Sequence, residues 1–156
     1  MSQRAEELAT QFETINGQFR DTVEAMSDAQ WHATTDEEGW TVGVAAHHAA
    51  SGHGGLSGMV QAAATGQALP PITPEQLNAA NAQHARDFAN VSKEEVLAAL
   101  DSGVGPAATL IRSLSDEQLQ RGVETPFGGT MTTDQIISNV LIGHVQQHLA
   151  SILAAH

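Results

Sequence analysis

Eight histidines are spread through a chain of 156 residues that has no cysteine. Two of them, His144 and His148, stand four apart near the C-terminus. Read as a helix, residues 133–152 place Ile137, Leu141, His144, His148 and Ile152 on one stripe, the buried face of an amphipathic helix. Side chains four apart on a helix lie one above the other, so both imidazoles reach a single point. Two imidazoles at one point suit a divalent metal. The competing reading is a pair of core histidines that each donate to a backbone carbonyl. The pair alone does not decide between them.

Further imidazoles come from a second region. Thr41 reads as the N-cap of a helix running to about residue 65, with Ala45, Ala49, Gly52, Leu56, Met59 and Ala63 facing inward. At the helical rotation per residue, His48 falls about 60° from the centre of that stripe, His53 about 80°, and His47 nearly opposite. His48 is therefore expected to reach the core from the rim, and His47 to meet solvent. His53, five residues on, diverges too far from His48 to share an ion on a regular helix. Gly52, Gly54, Gly55 and Gly58 each cost a helix interior about 1 kcal/mol relative to alanine. Either the helix breaks there, or small residues beside His48 leave room for a substrate or a close neighbouring helix. A fourth inward candidate is His84, on a stripe with Leu77, Asn81 and Phe88. There an Asn81–His84 pair reads as a buried hydrogen-bonded pair or as part of a ligand set.

Long helices must position these groups. The first should span about residues 2–26 on Leu8, Phe12, Ile15, Phe19, Val23 and Met26. Ser27 and Gln30 have capping-box spacing for a single turn ending at Trp31, and a polar loop 32–39 follows. After a loop at 66–72, suited to a crossover connection, Thr73-Pro74-Glu75-Gln76 opens the His84 helix. Ser92 caps the next, carried by Val96, Leu97, Leu100, Ala107, Ile111 and Leu114; Gly103-Val104-Gly105-Pro106 should kink or interrupt it. Ser115-Asp116-Glu117-Gln118-Leu119 echoes the turn at Ser27 and hints at a pseudo-twofold repeat of helix pairs. A loop at 122–130, with Thr125-Pro126-Phe127-Gly128-Gly129, leads to the last helix. Alanine is abundant, proline scarce, and no alternating β-branched run stands out. The expected class is all-α, four long helices plus shorter pieces in a single domain over 1–156. Bundle cores of this kind build metal sites from side chains on facing helices.

Six basic against eighteen acidic residues give a formal charge of −12, which repels nucleic acid. Without cysteine there are no disulfides, thiolate ligands or thiol nucleophile. The polar, acidic N-terminus does not read as a signal sequence, and no apolar run is long enough to span a membrane. The expectation is a cytoplasmic protein without nucleic-acid or membrane partners.

Two motifs carry a resemblance. Gly39-Trp40-Thr41-Val42-Gly43-Val44-Ala45-Ala46-His47-His48 places a histidine eight residues after a tryptophan, and His144-Val145-Gln146-Gln147-His148 closes the chain with His-x3-His. Together they resemble the DinB-like superfamily of four-helix bundles, whose members include thiol-dependent S-transferases and mycothiol-dependent maleylpyruvate isomerases. The resemblance covers essentially the whole chain. It implies a four-helix bundle with crossover connections and short extra helices, and His48, His144 and His148 as metal ligands. Family members can carry glutamate where His144 stands; an all-imidazole set leaves the ion its full positive charge, which favours ionisation of a bound water or thiol.

The implied activity is that of a divalent-metal enzyme that activates a low-molecular-weight thiol for S-transfer or isomerisation of a small-molecule substrate. Any thiol must arrive as a cosubstrate. Hydrolysis by a metal-activated water is the alternative chemistry, and a non-catalytic bundle that holds a metal or small ligand is the rival of another class. Zinc is the first expectation from imidazole ligation, with nickel and iron next. His53 and His84 are candidates for proton transfer or substrate contact, with Asn81 assisting and Arg86 or Arg112 available to an anionic substrate. A homodimer is implied by the family alone.

Overall fold

A computed structural model describes residues 2–155. Serine and threonine caps punctuate the chain as their spacing requires. Helix α1 (Gln3–Ala25) is capped by Ser2, and the short α2 (Asp28–Trp31) by a capping box of Ser27 and Gln30. Thr41 caps α3 (Val42–Ser51), which is followed by α4 (His53–Ala64). Thr73 and Gln76 box the start of α5 (Pro74–Asp87), and Ser92 and Glu95 that of α6 (Lys93–Arg112). Ser115 and Gln118 do the same for α7 (Asp116–Gln120), so the two echoing segments form matching capped turns. Each such cap satisfies backbone N–H groups that a helix start leaves unpaired, typically worth about 1 kcal/mol.

The loop expected at 122–130 is instead a small antiparallel hairpin, β1 (Gly122–Glu124) with β2 (Thr130–Thr132), Val123 paired with Met131. Three residues per strand are too few to show an alternating pattern. The turn is made by Gly128 and Gly129 in the left-handed region, at φ of 94° and 78°. The chain then enters α8 (Thr133–Gln135), a π-helical segment (Ile136–Ile142), and α9 (Gly143–Ala154).

Four long units make an all-α four-helix bundle: α1, the α3–α4 pair, α6, and the π segment with α9. Helix α1 packs on α6 and on the C-terminal unit, and α3 packs on the same two. The connections from α1 to α3 and from α6 to α9 therefore cross the bundle. Its core has two connected parts. One gathers Leu8, Phe12, Val60, Ile111, Ile137 and Leu141; the other gathers Phe19, Val23, Trp31, Val96, Val145 and Ile152. Burying such side chains is worth roughly 1.5–3 kcal/mol each against full exposure.

The break allowed for at the glycine run is formed: the helix that starts after Thr41 ends at Ser51 and restarts at His53. Gly52 keeps αR geometry, and its N–H still bonds the His48 carbonyl at 3.2 Å, so the break is a slight re-aiming. Helix α6, expected to kink or be interrupted at Gly103–Pro106, is not interrupted: it is one element of 20 residues with Pro106 inside it. Packing against α1 and α3 outweighs the lost hydrogen bond, and a side chain at Gly103 would meet His53 Cβ at 3.2 Å. Among the described residues no helix is long and apolar enough to cross a membrane.

Candidate metal centre

Helix α3 is buried on nearly every side: Val42 to His47, Ala49 and Ala50 are buried, His48 is half-buried, and only Ser51 at its end is exposed. It lies against α6, α9 and α5 and presents His48 to α9. From α9 come His144 and His148, one turn apart. The three ring centroids lie 5.0 Å (His48–His144), 5.0 Å (His48–His148) and 4.6 Å (His144–His148) apart. One ring nitrogen from each falls within 4.8 Å of the others. Small side-chain adjustments bring such a set to the ~2 Å bonds that zinc makes to imidazole.

The rings are held neutral. Burial, then neighbouring His148 and His84, pushes His48 down to about 4. Burial, then His148 and His48, pushes His144 down to about 3. His148 is lowered by burial, with Glu38 opposing. Neutral imidazole is the form that binds metal. None of the three donates to a backbone carbonyl among the described residues, so the purely structural pairing expected as the competitor is not formed. His144 Nδ1 is buried with no partner. The donor set fits a divalent ion.

Glu38 was legible only as part of a polar loop. Its Oε1 lies 3.1 Å from His148 Nδ1, and its Oε2 accepts from Ser151 Oγ at 2.7 Å. The Nδ1 and Oε1 atoms are close, yet neither has a hydrogen-bond partner. Burial raises the Glu38 carboxyl, but bonds from Ser151 and Thr35 and the proximity of His148 outweigh it and hold it below its ordinary value. Glu38 stands outside the triad's own cluster, on the Nδ1 side of His148. That is the place of a carboxylate that orients a ligand ring.

Gly52 is shaped by the site. A Cβ there would meet His144 Cε1 at 3.0 Å, so both readings of the glycine run apply: the helix breaks, and the small residue makes room. The room extends outward as a cavity of about 610 Å³, open to solvent. Besides the triad and Gly52 it is lined by Glu38, Trp40, Gly55, Leu56, Leu77, Asn81, Phe127, Asn139, Val140, Gly143 and Gln147. Its walls are mostly apolar and carry no lysine or arginine.

The other histidines lie elsewhere. His47, expected in solvent, is 8 % exposed; its Nδ1 is 2.8 Å from His84 Nε2, and its ring stacks on Phe88 at 3.8 Å. The expectation failed because α3 is enclosed on the side opposite its stripe as well. His84 sits 5.2 Å from the His48 ring but off the cavity wall, and its partner is His47, not Asn81. His53 is 1 % exposed in the core, bonded through Nε2 to Asn16 Oδ1 at 2.7 Å and edge-on to Phe12. Arg112 is spent on Glu6 and Glu13, and Arg86 on Gln83.

A crossed four-helix bundle with a histidine triad at the foot of an open cavity defines a class of protein. The sequence profile of the DinB superfamily matches residues 11–152, and the chain belongs to that family. It is similar to YfiT of Bacillus subtilis, with 26% identity over 140 residues, 90% of this chain and 77% of that protein. The solved structure of YfiT, described as a probable metal-dependent hydrolase with an unusual four-helix bundle topology, matches at a TM-score of 0.79 and 24% identity. That match covers 98% of this chain and 86% of YfiT. The crystal structure of a mycothiol-dependent maleylpyruvate isomerase matches at a TM-score of 0.75 and 19% identity, covering 99% of this chain. The chain spans only 64% of the isomerase's length. These two structural likenesses are likenesses of fold. The triad, with the relation to YfiT, suggests a metal.

Proposed function

We propose that this chain is a divalent-metal-dependent enzyme acting on a small molecule, with His48, His144 and His148 as the ligands. The observation that carries the reading is the convergence of three neutral imidazoles, none bonded to a backbone carbonyl, at the foot of an open cavity of about 610 Å³. An ion held there would supply a Lewis acid that lowers the pKa of a low-molecular-weight thiol, or of water, toward neutrality. Zinc suits the imidazole set first, with nickel and iron next.

The chain's own residues do the rest. Helices α3 and α9 carry the three histidines that would hold the ion, so their packing sets the ligand spacing. Glu38, 3.1 Å from His148 Nδ1, would accept a hydrogen bond from it once the two align, which would set the tautomer of His148 and raise its basicity. Trp40, Leu56 and Val140 give the cavity an apolar wall beside the triad, against which the apolar part of a small molecule can pack. Asn81 and Asn139 are placed to hydrogen-bond a substrate carbonyl. Of the two further histidines, His84 touches a ligand ring and His53 does not line the cavity. A role for either in proton transfer or substrate contact belongs to this proposal. The cytoplasmic location, single domain and homodimer belong to it as well.

Thiol-dependent transfer or isomerisation is the leading chemistry, supported by the likeness to the isomerase. With no cysteine in the chain, the thiol comes as a cosubstrate. Hydrolysis is the second reading, favoured by the fuller coverage of YfiT. The test is a panel of electrophiles with several thiols, run beside esters and amides without thiol, on zinc- and nickel-loaded protein. The reading expects turnover in one panel, lost on chelation and in His148→Ala, and restored to the wild-type protein by metal. Turnover indifferent to chelation overturns it. Metal binding without turnover in either panel favours a non-catalytic binding bundle.

A further inference from the structure

The cavity wall carries information on the substrate that the triad does not. Its lining includes no lysine or arginine. The one acidic side chain on it is Glu38. The whole chain is acidic, at −12. A carboxylate or phosphate group on the substrate body would find no cation to pair with away from the triad, and leaving a charge unpaired against apolar walls is costly.

The mouth adds a second observation. Phe127, at 55 % exposure, and Leu77, at 41 %, are among the few large apolar side chains left open to solvent, and both line this cavity. They come from different elements, the hairpin turn and the outer helix α5. The turn is held by Thr125 N–H on the Gly129 carbonyl at 3.0 Å and by two glycines in the left-handed region, so Phe127 is presented by design of the backbone. Helix α5 buries no residue of its own, and its apolar Leu77 therefore has no core to serve. Beneath them, Leu56 and Val140 continue the apolar wall toward the triad.

We propose that the cavity selects an uncharged small molecule with an apolar body, and that Phe127 and Leu77 determine this specificity by closing on that body at the mouth. The inference rests on the functional reading above for its chemistry: the reactive atom points down to the triad, and the apolar body lies along the wall.

The experiment uses the full chain after metal depletion, so binding to the wall is read without the ion. Cinnamyl alcohol, cinnamate and cinnamylamine share one aromatic body and differ in charge. Each is titrated calorimetrically at neutral pH against wild type, Phe127→Ser and Leu77→Ser. The alcohol should bind about tenfold or more tightly than cinnamate, since only the anion leaves a charge unpaired. Each serine variant should weaken the alcohol about three- to tenfold by removing apolar contact. Both positions are exposed, so the variants should fold, and an unchanged circular dichroism melt checks it. Equal or tighter binding of cinnamate overturns the proposal, as does tighter binding of cinnamylamine, or serine variants that bind like wild type. None of these depends on metal; a separate zinc titration reports on the triad, so the two readings fail independently.

Discussion

Gly52→Ala separates what the fold needs from what the ion needs. At φ −73° and ψ −16° the backbone there is ordinary for any residue, so alanine brings no backbone strain. Between two helical segments it should stabilise the metal-free chain by about 0.5–1 kcal/mol through propensity and a less flexible unfolded state. Its Cβ, however, would lie 3.0 Å from His144 Cε1, closer than carbon atoms pack, and the imidazole must retreat by a few tenths of an ångström. Metal sites tolerate about 0.2 Å in ligand distance, so a retreat of that size should cost zinc affinity about tenfold, or 1.4 kcal/mol. Gly54→Ala is the control, because nothing lies within 4 Å of its Cβ. Competition against a chromophoric chelator gives the affinities, and urea unfolding of metal-depleted protein gives the stabilities. Gly52→Ala should lose affinity while holding or gaining stability, and Gly54→Ala should leave affinity unchanged. Wild-type zinc affinity in Gly52→Ala would refute the placement of His144 as a ligand packed against α3.

Glu38→Gln keeps the shape beside His148 but removes the carboxylate, and should weaken zinc about 10–100-fold without unfolding the chain, read by the same competition titration. His53, buried and pushed down to about 4 from an ordinary 6.5, makes metal-free stability depend on pH. The unfolded chain takes up the proton first, so this contribution is complete above 6.5 and is lost as pH falls toward 4. It amounts to about 3 kcal/mol over the whole window. Urea unfolding from pH 7 to pH 4 should show the decline, and His53→Gln, which can still bond Asn16, should flatten its share of it. Trp31→Phe should destabilise the fold by about 1–3 kcal/mol, measured by thermal melting, because Trp31 Nε1 donates to the buried Val91 carbonyl at 3.0 Å.

The capped helices were readable because each cap is a local event: Ser27, Thr41, Thr73, Ser92 and Ser115 all stand where a side chain answers the next turn's N–H groups. The inward placement of His144 and His148 was readable for the same reason, since helical spacing alone puts them on one face. His48 was reached by rotation angle as well as by family pattern. His47 was not, because an angle measured from one stripe assumes an open far side, and α3 has none. Its run of valines, alanines and glycine without charge was the available signal of a helix enclosed all round. The hairpin at 122–132 lacks the length to show a period. The π-helical turn at 136–142, which brings Asn139 and Val140 to the cavity, depends on packing against α1 and α4 and leaves no mark in composition. Glu38 lies in an irregular loop whose course no periodicity predicts, yet it ends beside His148.

The most direct test of the whole account is the metal content of the protein itself. Metal-depleted wild type, titrated with zinc or nickel and measured by elemental analysis after desalting, should retain one ion per chain. His48→Ala, His144→Ala and His148→Ala should each abolish that retention while still folding to a helical bundle by circular dichroism. Retention of a full equivalent by any of these variants, or none by wild type, would contradict the triad as the centre of this protein's chemistry.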